Sequence, residues 1–151
     1  MVSFYHKMTT RHVHLAKIRE HLRELRDAIA QGIEESPATI GFHTSACSID
    51  FLELYLHKKN KLEIGAQIKH EWFKRPKKEQ RIIPLFERKL KIDFPNKERV
   101  VDLIYSLEEK RNKLIYGSST KLEIEQVLHV FENLKELFIK MLKEEGEEIE
   151  E

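Results

Sequence analysis

The chain has 151 residues, 35% of them charged and 40% hydrophobic, with five Gly, four Pro and a single Cys. That length suits one domain burying roughly 70% of the surface its unfolded chain exposes, and the composition excludes collagen-like, low-complexity and membrane-spanning classes. The net charge of +1 hides a split: positions 143–151 hold six Glu against one Lys, which leaves +6 on the rest of the chain. Cys47 has no partner for an intramolecular disulfide, and the N-terminus lacks the apolar stretch of a signal peptide, so the expected location is a reducing cytoplasm.

In chain order, Thr9 or Thr10 caps a first helix running to Gly32, with Leu15, Ile18, Leu22, Leu25 and Ile29 at alternating spacings of three and four on one face. Gly32 supplies the left-handed conformation that closes a helix at least cost. Ser36 and Pro37 open a second helix, proline standing where its missing N–H costs nothing. Ile40, Thr44, Cys47, Phe51 and Leu54 mark its buried face, and it fades near Asn60. The short link predicts an antiparallel hairpin.

Leu62, Ile64, Ile68 and Trp72 predict a shorter third helix that reaches Phe73 and is stopped by Pro76. From Lys74 to Lys91 there are eight basic residues against two acidic ones, interleaved with Ile82, Ile83, Pro84, Leu85 and Phe86, which predicts a basic, partly apolar connector. Pro95 and Asn96 restart a helix to Gly117 with Val100, Ile104, Leu107 and Leu114 facing inward. Ile124, Val127, Phe131, Leu134, Phe138 and Met141 mark a last helix ending at Gly146. No alternating apolar run is long enough for a strand. The expected fold is all-α, an up-and-down four-helix bundle with an additional short helix, in which the third helix and the basic segment form one long crossover. Residues 1–142 make one domain, and the self-repelling acidic stretch 143–151 is expected to be disordered.

One position breaks the pattern. On the stripe at 100, 104, 107 and 114 the remaining helical position is Arg111, a guanidinium where the periodicity calls for Leu. Arginine does not deprotonate, so burial demands a carboxylate, a phosphate or a set of acceptors. Otherwise its methylenes lie on the core while the head reaches water near the helix C-terminus.

The heptapeptide Arg111-Asn112-Lys113-Leu114-Ile115-Tyr116-Gly117, near the end of the penultimate helix, resembles the signature of the HEPN superfamily (higher eukaryotes and prokaryotes nucleotide-binding domains). In that family an Arg, often followed by Asn, precedes a His by four to six residues. The resemblance implies a helical bundle of about this length, a homodimer, and metal-independent RNA cleavage in a cleft between two copies. It also implies a pairing with nucleotidyltransferases in toxin–antitoxin modules, with a tyrosine near the motif as acceptor of a nucleotidyl group. Arg111 matches the family's arginine and Asn112 its polar follower, but Tyr116 stands in the place of the histidine. A phenol titrating near 10 is a poor general base at neutral pH. The motif therefore implies binding of RNA or a nucleotide through Arg111, Asn112 and Tyr116, with ribonuclease activity impaired or absent.

Arg75, Lys77, Lys78, Arg81, Arg88 and Lys89 of the basic connector, with Trp72, Phe73 and Phe86 close by, supply charge and stacking surfaces suited to nucleic acid. The alternative is a solvated connector. An endoribonuclease reading needs a replacement base, for which His43 and His129 are the candidates. A non-catalytic reading makes the chain a helical partner of a nucleotidyltransferase, with Arg111 in a structural ion pair. Of eight histidines no two are spaced by three or four, Glu-x-x-His does not occur, and His43 with Cys47 lacks further ligands, so no metal is expected. The glycines lie singly, which excludes a phosphate loop, and no cofactor is expected.

Overall fold

A computed structural model describes residues 4–63, 65–77 and 79–150, with side chains from Thr10 onward. Ile64 and Lys78 lie outside the described residues. The elements are α1 (Phe4–Gln31), α2 (Pro37–Lys58), the short α3 (Leu85–Lys89), α4 (Lys97–Tyr116) and α5 (Lys121–Glu144), with one 3-10 turn at His70–Trp72. Among the described residues there is no strand, and the fold is an all-α helical bundle. No described helix is long and apolar enough to cross a membrane.

Side-chain pairs fix the helix directions. His14 meets Asp50 while His21 meets His43, so α1 and α2 run antiparallel. Ser45 reaches Glu108 and Gly41 abuts Leu114, so α2 and α4 do the same. Phe51 stacks on Phe138 with centroids 5.5 Å apart and Lys59 pairs with Glu145, which makes α5 parallel to α2. Helix α2 touches α1, α4 and α5, and every residue from Cys47 to Leu56 is buried. A helix buried on all sides is normally apolar all round, yet this one carries Ser48, Asp50 and Glu53 into the interior.

The chain departs from the sequence reading in four places. Thr9 and Thr10 lie inside α1 rather than capping it, because nothing upstream to Phe4 breaks the helix. Ile29 is 47% exposed while Ala28 is buried, so the stripe of α1 drifts by one position in its last turn. The third helix does not form. Gly65 adopts φ +86°, the Ala66 N–H closes a turn onto the Glu63 carbonyl, and the described residues between Leu62 and Phe73 are irregular apart from the 3-10 turn at His70–Trp72, because Ile68 and Phe73 are sunk into the core as separate anchors. Phe73 then stacks on Phe86 of α3 at 4.7 Å.

The fourth departure is at the C-terminus. Gly146, at φ +82°, reverses the chain so that the Glu147 N–H bonds the Leu142 carbonyl at 2.8 Å and the Gly146 N–H bonds that of Lys143, a Schellman closure. This turn brings the Glu147 carboxylate onto Arg11, whose Nε and Nη2 donate at 2.7 and 2.8 Å, and within 3.3 Å of Lys58. Glu147 is buried, so here the acidic stretch is held by attraction to α1 and α2.

Candidate functional site

Close approach of two helices builds the site. Gly41 has no side chain where α2 crosses Leu114 and Ile115, and this brings α4 against α2 one turn from Ser45. Arg111, on the α2-facing stripe of α4, therefore emerges into a groove that it lines with Phe42, Ser45, Asp50, Lys69 and His70. Among the described residues its buried Nε has no hydrogen-bond partner, and the side-chain hydrogen bond it forms is from Nη1 to Asn112 Oδ1, at a long 3.4 Å. Among the described residues no carboxylate pairs with it, so the ion pair of the structural reading is not formed. Lys69, beside it, is exposed and joins no ion pair among the described residues.

The groove also holds a histidine that the sequence reading did not single out. His70 Nδ1 lies 3.0 Å from Glu108 Oε2, and the other Glu108 oxygen accepts a short hydrogen bond from Ser45 Oγ. A carboxylate fixed by a serine thus orients an imidazole that remains 36% exposed. This is the relation of orienting acid to base that proton-transfer sites use. His70 comes from the crossover, some forty positions before Arg111, so a motif read along α4 has no way to find it.

The other expected residues are dispersed. Asn112 lines a second groove, on the other side of His70, with Lys74, Arg75 and Glu109. Tyr116 is 79% exposed at the end of α4 and lines neither groove. Arg75 is committed to Asp102 at 2.5 Å and to Glu109, with its guanidinium 5.3 Å from the centre of the Tyr105 ring. Lys77, Arg81, Arg88 and Lys89 are exposed, and Lys78 lies outside the described residues. Of the candidate replacement bases, His129 is exposed on α5 beside Asn133, and His43 bonds His21; neither lines the Arg111 groove. Cys47 is fully buried, and burial pushes its thiol well up, away from nucleophilic use.

Beyond the groove, α1 and α2 enclose a network of histidines and carboxylates. Asp50 accepts from His14 Nδ1 at 3.2 Å and from His21 Nε2 at 3.1 Å, and His21 Nδ1 lies 2.8 Å from His43 Nδ1. Burial acts to raise the Asp50 carboxyl, but the hydrogen bonds from His14 and His21 outweigh it and its pKa is lowered. Glu53 goes the other way, raised chiefly by burial. His57 is held below its ordinary value by burial and by His14. The signal for this cluster was present on α2: Asp50, Glu53 and His57 follow at spacings of three and four in the C-terminal half of the helix, among Ile49, Phe51, Leu52, Leu54 and Leu56. A search for paired histidines passes over it because the partner, His14, is on another helix.

Comparison of the chain with protein-family models, with curated proteins and with solved structures finds no match.

Proposed function

We propose that the groove at Arg111 binds a phosphate group of single-stranded RNA or of a nucleotide, in keeping with the HEPN-like motif on α4. The observation that carries this reading is the Arg111 Nε, buried and without a protein partner at the wall of an open groove. A guanidinium so placed is incomplete until an anion supplies acceptors, and phosphate matches its fork. Lys69 adds a second positive charge, and the exposed ring of Phe42 offers a face on which a base can stack.

The test is the affinity of a fluorescent single-stranded RNA for the wild type and for Arg111→Ala. A charge-assisted hydrogen bond is worth about 1.5–3 kcal/mol, so the variant is expected to bind about 10- to 100-fold more weakly while keeping its fold. Unchanged affinity in a folded variant would overturn the reading and favour a protein-interaction role.

His70 supports a second reading, a metal-independent endoribonuclease in which Arg111 holds the scissile phosphate and His70, oriented by Glu108, takes the 2′-hydroxyl proton as that oxygen attacks phosphorus; the P–O5′ bond breaks, the 5′-oxygen leaves with a proton returned from His70 or water, and a 2′,3′-cyclic phosphate remains. Cleavage of labelled RNA in the presence of a chelator, lost in both His70→Gln and Arg111→Ala, is its expected signature. Cleavage that survives His70→Gln would remove His70 from the mechanism.

A further inference from the structure

We propose that His14 of α1 and Glu53 and His57 of α2 bind a divalent transition-metal ion of the zinc class, which clamps the two helices together. One nitrogen from each histidine and one Glu53 oxygen already lie within 4.8 Å of one another, and His14 Nε2 is 3.5 Å from Glu53 Oε2. Metal bonds of about 2.0–2.2 Å place the ligand atoms of a tetrahedral shell roughly 3.3–3.6 Å apart, so small side-chain adjustments close the site. Two imidazoles and one carboxylate form a donor set that suits zinc and its neighbours rather than calcium or magnesium.

The groups behind these ligands favour the same conclusion. Metal-binding histidines are normally held through their other ring nitrogen, and ligating carboxylates through their other oxygen. His14 Nδ1 is held by Asp50 Oδ1 at 3.2 Å, which leaves Nε2 for an ion. The Ile68 N–H donates to Glu53 Oε1 at 3.2 Å, which leaves Oε2. A hydrogen bond to the backbone at Leu62 engages the His57 ring. His14 and Glu53 are therefore oriented from outside the site by Asp50 of α2 and the backbone of Ile68 in the crossover.

Charge provides an independent reason. Asp50 and Glu53 are both buried, and the ion pairs they form among the described residues are with histidines only. A carboxylate is costly to bury unless a cation or hydrogen-bond donors compensate it. A dication between His14 and Glu53 offsets both carboxylates. Three protein ligands leave a fourth position for water, and the half-buried His57 marks the side from which an ion enters.

The test is calorimetric titration of chelator-treated protein with Zn²⁺, with thermal melts in excess Zn²⁺ and in chelator. One ion per chain is expected, and a Tm about 5–10 °C higher when free Zn²⁺ is a hundredfold above Kd. His57→Gln and Glu53→Gln are expected to abolish the shift, and Asp50→Asn to weaken binding by about 10- to 100-fold through His14. His12→Gln, on the exposed face of α1, controls for surface binding and leaves the titration unchanged. Circular dichroism of each variant is to check that it is folded before its titration is compared. Absence of binding by the folded wild type, or unchanged binding by folded His57→Gln, overturns the site.

Discussion

Gly41 of α2 and Leu114 of α4 meet so closely that a Cβ at position 41 would stand 2.8 Å from Leu114 Cβ and 3.2 Å from Ile115 Cγ1. Both neighbouring atoms are tied to or near a helix backbone, so neither swings aside. Alanine gains about 1 kcal/mol over glycine in helix propensity, but overpacking of this kind costs about 1–3 kcal/mol. Gly41→Ala is therefore expected to lower Tm by a few degrees in a thermal melt, and Gly41→Val by more. Because the same contact positions Arg111, RNA affinity should fall with it. A rise in Tm on Gly41→Ala would mean that the helices have room to spare.

Arg111 of α4 and Arg75 of the crossover differ in what they already hold. Arg75 is paired with Asp102 and Glu109, whereas among the described residues the Arg111 side chain has only a long bond to its neighbour Asn112. In a salt titration of RNA binding, Arg111→Ala is expected to reduce the slope of log K against log salt by about 0.7, the loss of one phosphate contact. Arg75→Ala should leave it nearly unchanged. Equal effects would indicate diffuse binding to the basic connector.

The Arg11 pair with Glu147 makes stability depend on pH. Burial acts to raise the Glu147 carboxyl, but hydrogen bonds from Arg11 and Lys58 prevail and its pKa is lowered in the folded chain. A lowered folded value means that the contribution is fully present above the unfolded carboxyl value of about 4.3 and is lost as pH falls through the folded value. Arg11→Ala leaves Lys58 as the remaining partner of a buried carboxylate, and a cost of about 1–2 kcal/mol is expected, between exposed and fully buried pairs. Thermal melts at pH 7 and pH 3 check both points: the difference between wild type and Arg11→Ala should shrink at the lower pH.

Glu123 closes the N-terminus of α5. Its carboxylate accepts from the Thr120 backbone at 3.0 Å and lies 2.6 Å from Lys113 Nζ, while the Thr120 hydroxyl accepts from the Glu123 N–H at 3.2 Å. Led by the Lys113 contact, these hold its pKa at about 2. A carboxyl NMR titration should show Glu123 charged down to about that pH, and Lys113→Ala should move the midpoint up toward the ordinary range. Because the folded value is lowered, the stabilisation is complete above about pH 4.3 and declines as pH falls toward 2. A midpoint near 4 in the wild type would show that the pairing does not persist in solution.

Helical periodicity made the four long helices legible, because an amphipathic stripe is a local property that the tertiary structure then uses. Capping was legible at Pro37, where proline fixes the first turn, but the Thr120 and Glu123 box carries a signature that the apolar pattern did not pick out. The segment from Leu62 to Phe73 misled because an anchored irregular chain and a short helix can both space apolar residues by three or four. Helix formation there loses to separate burial of Ile68 and Phe73, and Gly65 offers the backbone an easy departure.

The sequence by itself determined that the chain is an all-α bundle, that one arginine sits on an apolar stripe of α4, and that basic charge gathers in the crossover. Only the tertiary structure decided that Arg111 has no carboxylate partner among the described residues, that His70 from the crossover shares its groove, and that His14 completes a cluster with Glu53 and His57. The physical reason is the range of the interactions. Helix spacing is written within a few residues, whereas burial, charge pairing and ligand geometry depend on which helices become neighbours, and that is settled by packing the whole core around α2.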